Sequence, residues 1–482
     1  MLITAEQAKV LPRRGSRKPL TRLPAGRRAD EGRNGAYRAA LTMLHTGQGT
    51  PMVTIDKALR ADPGFVSGHC LRAALLVMTC RDDARLELGR TLDAAQVFIH
   101  RADERESRHL EAASAWLEND LRRSLQLYGE IAVDHPHDTL ALRVAHFGDL
   151  QWSRTERLRD RVAAVLPHWH EGMEGYAHVL GMYAFGLAEA GDYDLSERAG
   201  RRAIALDRGN AGAIHAVAHV LEMQGRVEEG IAWLLATAPN WTRSAGYAPH
   251  LWWHLALFHL DLSDTNAALR IHDRHLLVGA GPATSTLVDA SALLWRLQLR
   301  GVDVASRWRP VADGWAQRQV DGLRPFNDTH AMLAFVAAER RSSAEGLIDA
   351  LRTSAARTPD LHEIIHGAAL PVCTALKAFG EGDYEAATAT LHDLRHLAKR
   401  CGGSQAQCDL LHLTLLESAL RSGYTPMARS LVAERIESRP RSVFNRHLMA
   451  RVGGAPTFFV GDQMYWAQDR MDFVREALHA TT

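Results

Sequence analysis

In the stretch HAVAHVLE, residues 215–222, His215, His219 and Glu222 stand at offsets of 0, 4 and 7, the spacing at which an α-helix stacks side chains along one face. APHLWWHLALFHL repeats the pattern: His250 and His254 are again four apart, and each lies 35 residues after its counterpart. One further step of 35 from His254 reaches Asp289, in LVDASALLWRLQL, with Arg296 two turns beyond it. Packed helices lie about 8–10 Å apart, so imidazoles on equivalent faces of neighbouring helices can meet at one point or on one bound molecule.

Three chemistries fit such a cluster. His215, His219, His250, His254 and Asp289 offer neutral imidazoles and a carboxylate, a ligand set for zinc, iron or manganese that leaves positions open for water or substrate. Without a metal, a histidine held by Glu222 or Asp289 is a competent general base, because the carboxylate fixes its tautomer and raises its basicity. The third reading is structural, with the histidines bonded to one another and to Glu222 at a repeat junction. On the first two readings His215, His219, Glu222, His250 and His254 are the catalytic groups. Trp252, Trp253 and Trp241 wall the pocket, Asp289 and Arg296 contact the ligand, His178 joins the rim and His330 closes the far side.

The elements that must carry these residues are helix hairpins. Gly191 and Gly225 fall 34 residues apart, each between two apolar helical runs, which is the period of a tetratricopeptide repeat. Weaker copies recur as DKALRADPGF, LQLYGEIAVDHPHDTLAL, KAFGEGDYEAATATLHDLRHLA and RSGYTPMARSLVAERI. One hairpin cannot bury its apolar face alone, whereas a stack shares a continuous core and presents its first helices on a concave surface. The chain is therefore expected to be all-α: a tetratricopeptide-type right-handed α-solenoid over residues 36–445. A basic, disordered arm is expected at 1–35, and a short ββα appendage at 446–482.

The repeat region is similar to the tetratricopeptide repeat protein 38 family. The likeness rests on GMYAFGLAEAGDYDLSERAGRRAIALD, HAVAHVLEMQGRVEEGIAWL, HLWWHLALFHLD, LLWRLQLRG and PVCTALKAFGEGDYEAA followed by GGSQAQCDLL, in that order. It implies a single α-solenoid and brings no settled reaction. That family's Gly-Ser-His-Ala-Gln segment stands here as GGSQAQ, with Gln405 in place of the histidine. The tail RVGGAPTFFVGDQMYWAQDRMDFVREAL resembles the end of 2-hydroxychromene-2-carboxylate isomerases and other DsbA-like thioredoxin proteins over about 30 residues. Strands are expected at TFFV and after the turn at Gly461 and Asp462, followed by a helix capped by Asp469. The first βαβ unit and nucleophile of those enzymes are missing, so their catalytic site is incomplete in this chain.

Other signals are weaker. LHEIIHG sets His362, Glu363 and His366 in the H-E-x-x-H pattern of zinc peptidases, but no strand precedes it to hold a peptide, and 25 histidines make a chance match common. A formal charge of +1 over 482 residues provides no field for nucleic acid or an acidic membrane. No apolar run approaches the roughly 20 residues that span a bilayer. The five cysteines form neither a disulfide framework nor a CxxC site, which points to a reducing, cytoplasmic setting.

Two function classes follow. One is an enclosed pocket that binds a small molecule and acts on it by acid–base or metal-assisted chemistry. The other is a non-catalytic adaptor that holds a peptide or protein partner in its groove, or pairs with a second copy. Trp, His and Ala on the inner helices, rather than clamping Asn, Lys and Arg, favour the enclosed pocket.

Overall fold

The computed structural model describes residues 25–79, 83–152, 154–276, 282–318, 322–357, 359–453, 457–460 and 463–466. The fold is all-α. The first helix, Ala25–Thr46, begins inside the segment expected as a disordered arm, and the last described helix reaches Gly453, past the expected end of the repeats. In the tail, Thr457–Val460 pairs antiparallel with Gln463–Trp466. Gly461, Asp462 and the expected helix after Asp469 lie outside the described residues.

Through the middle of the chain the helices form two layers. Tyr176–Ala190, Ala211–Met223, Ala248–Asp261, Thr284–Leu299 and Pro325–Ala337 pack one upon the next, and each is also packed on the helix that follows it in sequence. Local chemistry sets the start of each piece. Asn210, Asp264 and Asp383 cap helices by accepting a bond from the backbone N–H three residues on, satisfying a donor that the helix leaves unpaired. Gly191 and Gly225, the period markers in the sequence, take φ of +87° and +66° at the turns, where a side chain would be strained.

Small residues appear where backbones approach. A Cβ on Gly186 would come within 2.6 Å of the Leu158 carbonyl and the Arg159 nitrogen, and backbone cannot move aside as a flexible side chain can. Gly186→Ala is expected to lower stability by about 1–3 kcal/mol through overpacking. Gly346→Ala, at a helical position with nothing within 4 Å, should raise it by about 0.5–1 kcal/mol. Urea midpoints of the two variants check both signs.

The axis of the array is filled by its own chain. Helix Gln405–Arg421 packs on the inner helices Ala211–Met223 and Thr284–Leu299. The Gln405 backbone N–H donates to Glu189 Oε2 at 2.9 Å and its side-chain amide to the Glu189 carbonyl at 2.8 Å. Arg296 donates to the Ala406 carbonyl at 2.7 Å, and Trp295 Nε1 to Thr414 Oγ1 at 2.9 Å. The GGS turn before this helix has a physical reason. Gly402 and Gly403 both lie in the left-handed region, at φ +105° and +91°, and a Cβ on Gly402 would press into the Gln151 carbonyl. Ser404 then starts the helix in a reciprocal cap with Gln407.

Candidate metal centre

The 35-residue register does what its spacing implies. His215 and His219 on one inner helix face His250 and His254 on the next, and one ring nitrogen from each lies within 4.8 Å of all the others. His215 Nε2 and His219 Nε2 are 2.9 Å apart. Ring centroids across the two helices are 4.9 Å apart for His215–His250 and 4.6 Å for His219–His254. Among the described residues, no other set of His, Cys, Asp and Glu is grouped in this way.

Carboxylates lie behind three of the four rings and bond two of them, His250 and His254. Glu222 Oε2 lies 2.9 Å from His254 Nδ1, Asp289 Oδ1 lies 2.8 Å from His250 Nδ1, and Glu189 Oε1 lies 3.1 Å from His219 Nδ1. A carboxylate on Nδ1 fixes the tautomer so that the Nε2 lone pair is presented, the usual arrangement behind metal-binding histidines. His254 Nε2 is fully buried and has no partner within the chain. Phe185 stacks on His215 at 5.2 Å and meets the edge of His219, while Trp253 stacks on His250 at 5.1 Å. His250, with its side chain 19% exposed, is the open edge of the site.

The electrostatics favour the neutral form of two of the rings. Burial, followed by the neighbouring imidazoles, holds His215 and His254 well below the usual histidine range. Burial also pushes the Glu222 carboxyl up. Neutral imidazole is the form that can donate a lone pair to a cation.

A search against protein-family models finds no match for the chain.

Several expected residues sit elsewhere. Asp289 was expected as a ligand, but its bond to His250 Nδ1 makes it an orienting group. Trp241 is wholly buried, donates to the Leu234 carbonyl at 3.0 Å and packs edge-on against Trp252. Trp252 in turn stacks on His275 at 3.7 Å, so Trp253 is the one of the three that walls the cluster. Arg296 lies over the other face of the same region, 5.5 Å from the Trp253 ring. His178 stacks on His45 at 5.2 Å, and His330 bonds the Phe326 carbonyl at 2.8 Å; neither joins the four. In the H-E-x-x-H segment, His362 bonds the Ala355 carbonyl and the exposed Glu363 pairs with Arg400.

Glu189 is the functional residue that the spacing missed. It belongs to the preceding inner helix, Tyr176–Ala190, and lies two residues before the turn at Gly191, where an acid ordinarily faces solvent. The signal was its isolation in GMYAFGLAEAG, the lone charge of an apolar run. Gln405 clamps this same Glu189, which places the GGSQAQ segment directly behind the cluster.

Proposed function

We propose that His215, His219, His250 and His254 form a divalent-metal centre that binds a small molecule at its open edge. The observation that carries the reading is the combination of carboxylates bonded to Nδ1 of His250 and His254, a third carboxylate 3.1 Å from Nδ1 of His219, and a buried His254 Nε2 that has no partner. A buried polar atom left unpaired costs about 1–3 kcal/mol, and a cation at the centre removes that cost. Three acids behind the four rings also offset the charge of the ion.

The donor set narrows the metal. Four imidazoles complete the tetrahedron of zinc and leave no open position, with all nitrogen separations near 3.4 Å, an estimate from Zn–N bonds of about 2.0–2.1 Å. The four nitrogens all lie within 4.8 Å of one another, with His215 Nε2 and His219 Nε2 2.9 Å apart, a grouping that also admits a six-coordinate ion. Iron(II) suits imidazole better than manganese does, and four ligands on a six-coordinate ion leave two positions for a small molecule. The bound ion would supply Lewis acidity, and redox chemistry if it is iron. The chain supplies the oriented rings, the dry wall of Phe185 and Trp253, and the carboxylates that can hold protons.

The scaffold of this reading is a tetratricopeptide-type right-handed solenoid like that of the tetratricopeptide repeat protein 38 family, with the tail as a thioredoxin-like remnant. The adaptor alternative is less favoured, because helix Gln405–Arg421 occupies the inner surface that a peptide would need. A reducing, cytoplasmic setting is supported by Cys70, Cys373, Cys401 and Cys408, all present as free thiols. No helix among the described residues is long and apolar enough to cross a membrane.

Elemental analysis of the purified chain tests the proposal: about one equivalent of iron or another transition ion is expected, and a chain that takes up none after incubation with each ion rejects it. Glu189→Gln keeps the shape but weakens the hold on His219, so metal affinity should fall about 10–100-fold in a competition titration with a chelator.

A further inference from the structure

Beyond Glu222, on the side away from the four rings, lies a separate polar cavity of about 40 Å³. A water needs roughly 10–15 Å³ on this measure, so the space takes about three waters or one small oxyanion. Its walls carry the guanidiniums of Arg296, Arg300, Arg435 and Arg439 and the carboxylates of Glu222, Asp261 and Asp409.

These charges are unevenly matched. Asp409 is committed to Arg435 and Arg439. Asp261 accepts from Ser442 Oγ and the Val443 N–H, and Glu222 is bonded to His254. Arg296 is satisfied only by carbonyls, those of Ala292 and Ala406. Arg300 donates to the Arg296 carbonyl, lies 3.7 Å over the Phe444 ring, and has a buried Nε with no partner. Neither Arg296 nor Arg300 forms an ion pair among the described residues. Burial pushes Arg296 down to about 10 and Arg300 down to about 9, more than the nearby carboxylates Asp409, Glu222 and Asp261 restore.

We infer that this cavity is a binding site for a small oxyanion, the phosphate or carboxylate group of a ligand, held by Arg296 and Arg300. A guanidinium presents a planar fork of N–H donors that matches such an anion. The Nε of Arg300 is a donor available to it, and Phe444 fixes the plane of that guanidinium. The site is distinct from the metal centre, although Glu222 borders both.

The test is calorimetric titration of inorganic phosphate, and separately of acetate, into the full chain at constant ionic strength set by sodium chloride. One phosphate or acetate per chain is expected, and the tighter of the two identifies the group. Arg300→Met should weaken that binding at least 10-fold while leaving the anion-free melting temperature unchanged or higher, since it removes a poorly compensated buried charge. No binding of either anion above chloride, or equal binding by wild type and Arg300→Met, overturns the inference. Chelator-treated protein and His215→Gln should bind the anion as wild type does, so failure of the metal reading leaves this result standing.

Discussion

His215→Gln should abolish stoichiometric metal while leaving the metal-free protein almost as stable as wild type. Of the four rings, His215 is the one that no carboxylate backs in the structure; its polar contact is His219 Nε2. Removing it strips one ligand from the centre without leaving an acid unpaired in the core. Affinity should fall at least 100-fold, from roughly one ion per chain to a small fraction after dialysis, and the metal-free urea midpoint should move by less than about 1 kcal/mol. His254→Ala differs in an informative way, because it also strands Glu222, whose carboxyl burial already pushes up. That variant should lose metal and a further 1–3 kcal/mol or so of metal-free stability. If both variants retain a full equivalent of metal, the centre lies elsewhere. If wild type and His215→Gln melt at the same temperature with and without added metal, the cluster is structural.

Asp409→Asn should be the most damaging single change outside the metal centre, costing about 3–5 kcal/mol. Asp409 lies on helix Gln405–Arg421 and pairs with Arg435 at 3.2 Å and Arg439 at 3.0 Å. Burial alone would raise its pKa, but Arg435 and Arg439 outweigh this and hold it far below the usual carboxylate range. The substitution leaves two buried guanidiniums facing Arg296 with no anion between them. Because the folded pKa is depressed, the stability from this group is complete above the ordinary carboxylate value of 3.8 and is lost as pH falls below it. Denaturant midpoints should therefore show a wild-type advantage at pH 7 that narrows in acid. An unchanged gap from pH 7 to pH 3 would show that the pair contributes nothing through charge.

The cluster was legible because the helix hairpin repeats. His215 to His250 and His219 to His254 are a single register step, and in a stack of hairpins one step in sequence is one neighbour in space. Asp289 followed from the same step, though its role as an orienting group depends on which nitrogen faces it, and spacing alone carries no such information. Glu189, and its contact with the Gln405 that the family likeness had singled out, escaped for a different reason. Their contact joins residues 216 apart, and nothing in a repeat period says where a distant helix returns. The tryptophans show the limit of composition: Trp252 and Trp253 are adjacent, so helical geometry must point them about 100° apart, and only Trp253 reaches the histidines. Register placed Arg296 at the pocket, but nothing in their scatter along the chain says that Arg300, Arg435 and Arg439 meet it around one cavity.

Helix Gln405–Arg421 changes the kind of object this protein is. An open stack can gain or lose a unit at either end, and each unit holds on to its neighbours alone. Here a late segment is threaded against units laid down 110 to 216 residues earlier, through Glu189, Arg296 and Trp295. Deleting the chain after residue 400 should consequently unsettle the middle of the molecule rather than shorten it. Closing so long a loop is slow, so a nascent chain should complete the surroundings of its histidine cluster only after helix Gln405–Arg421 has been made.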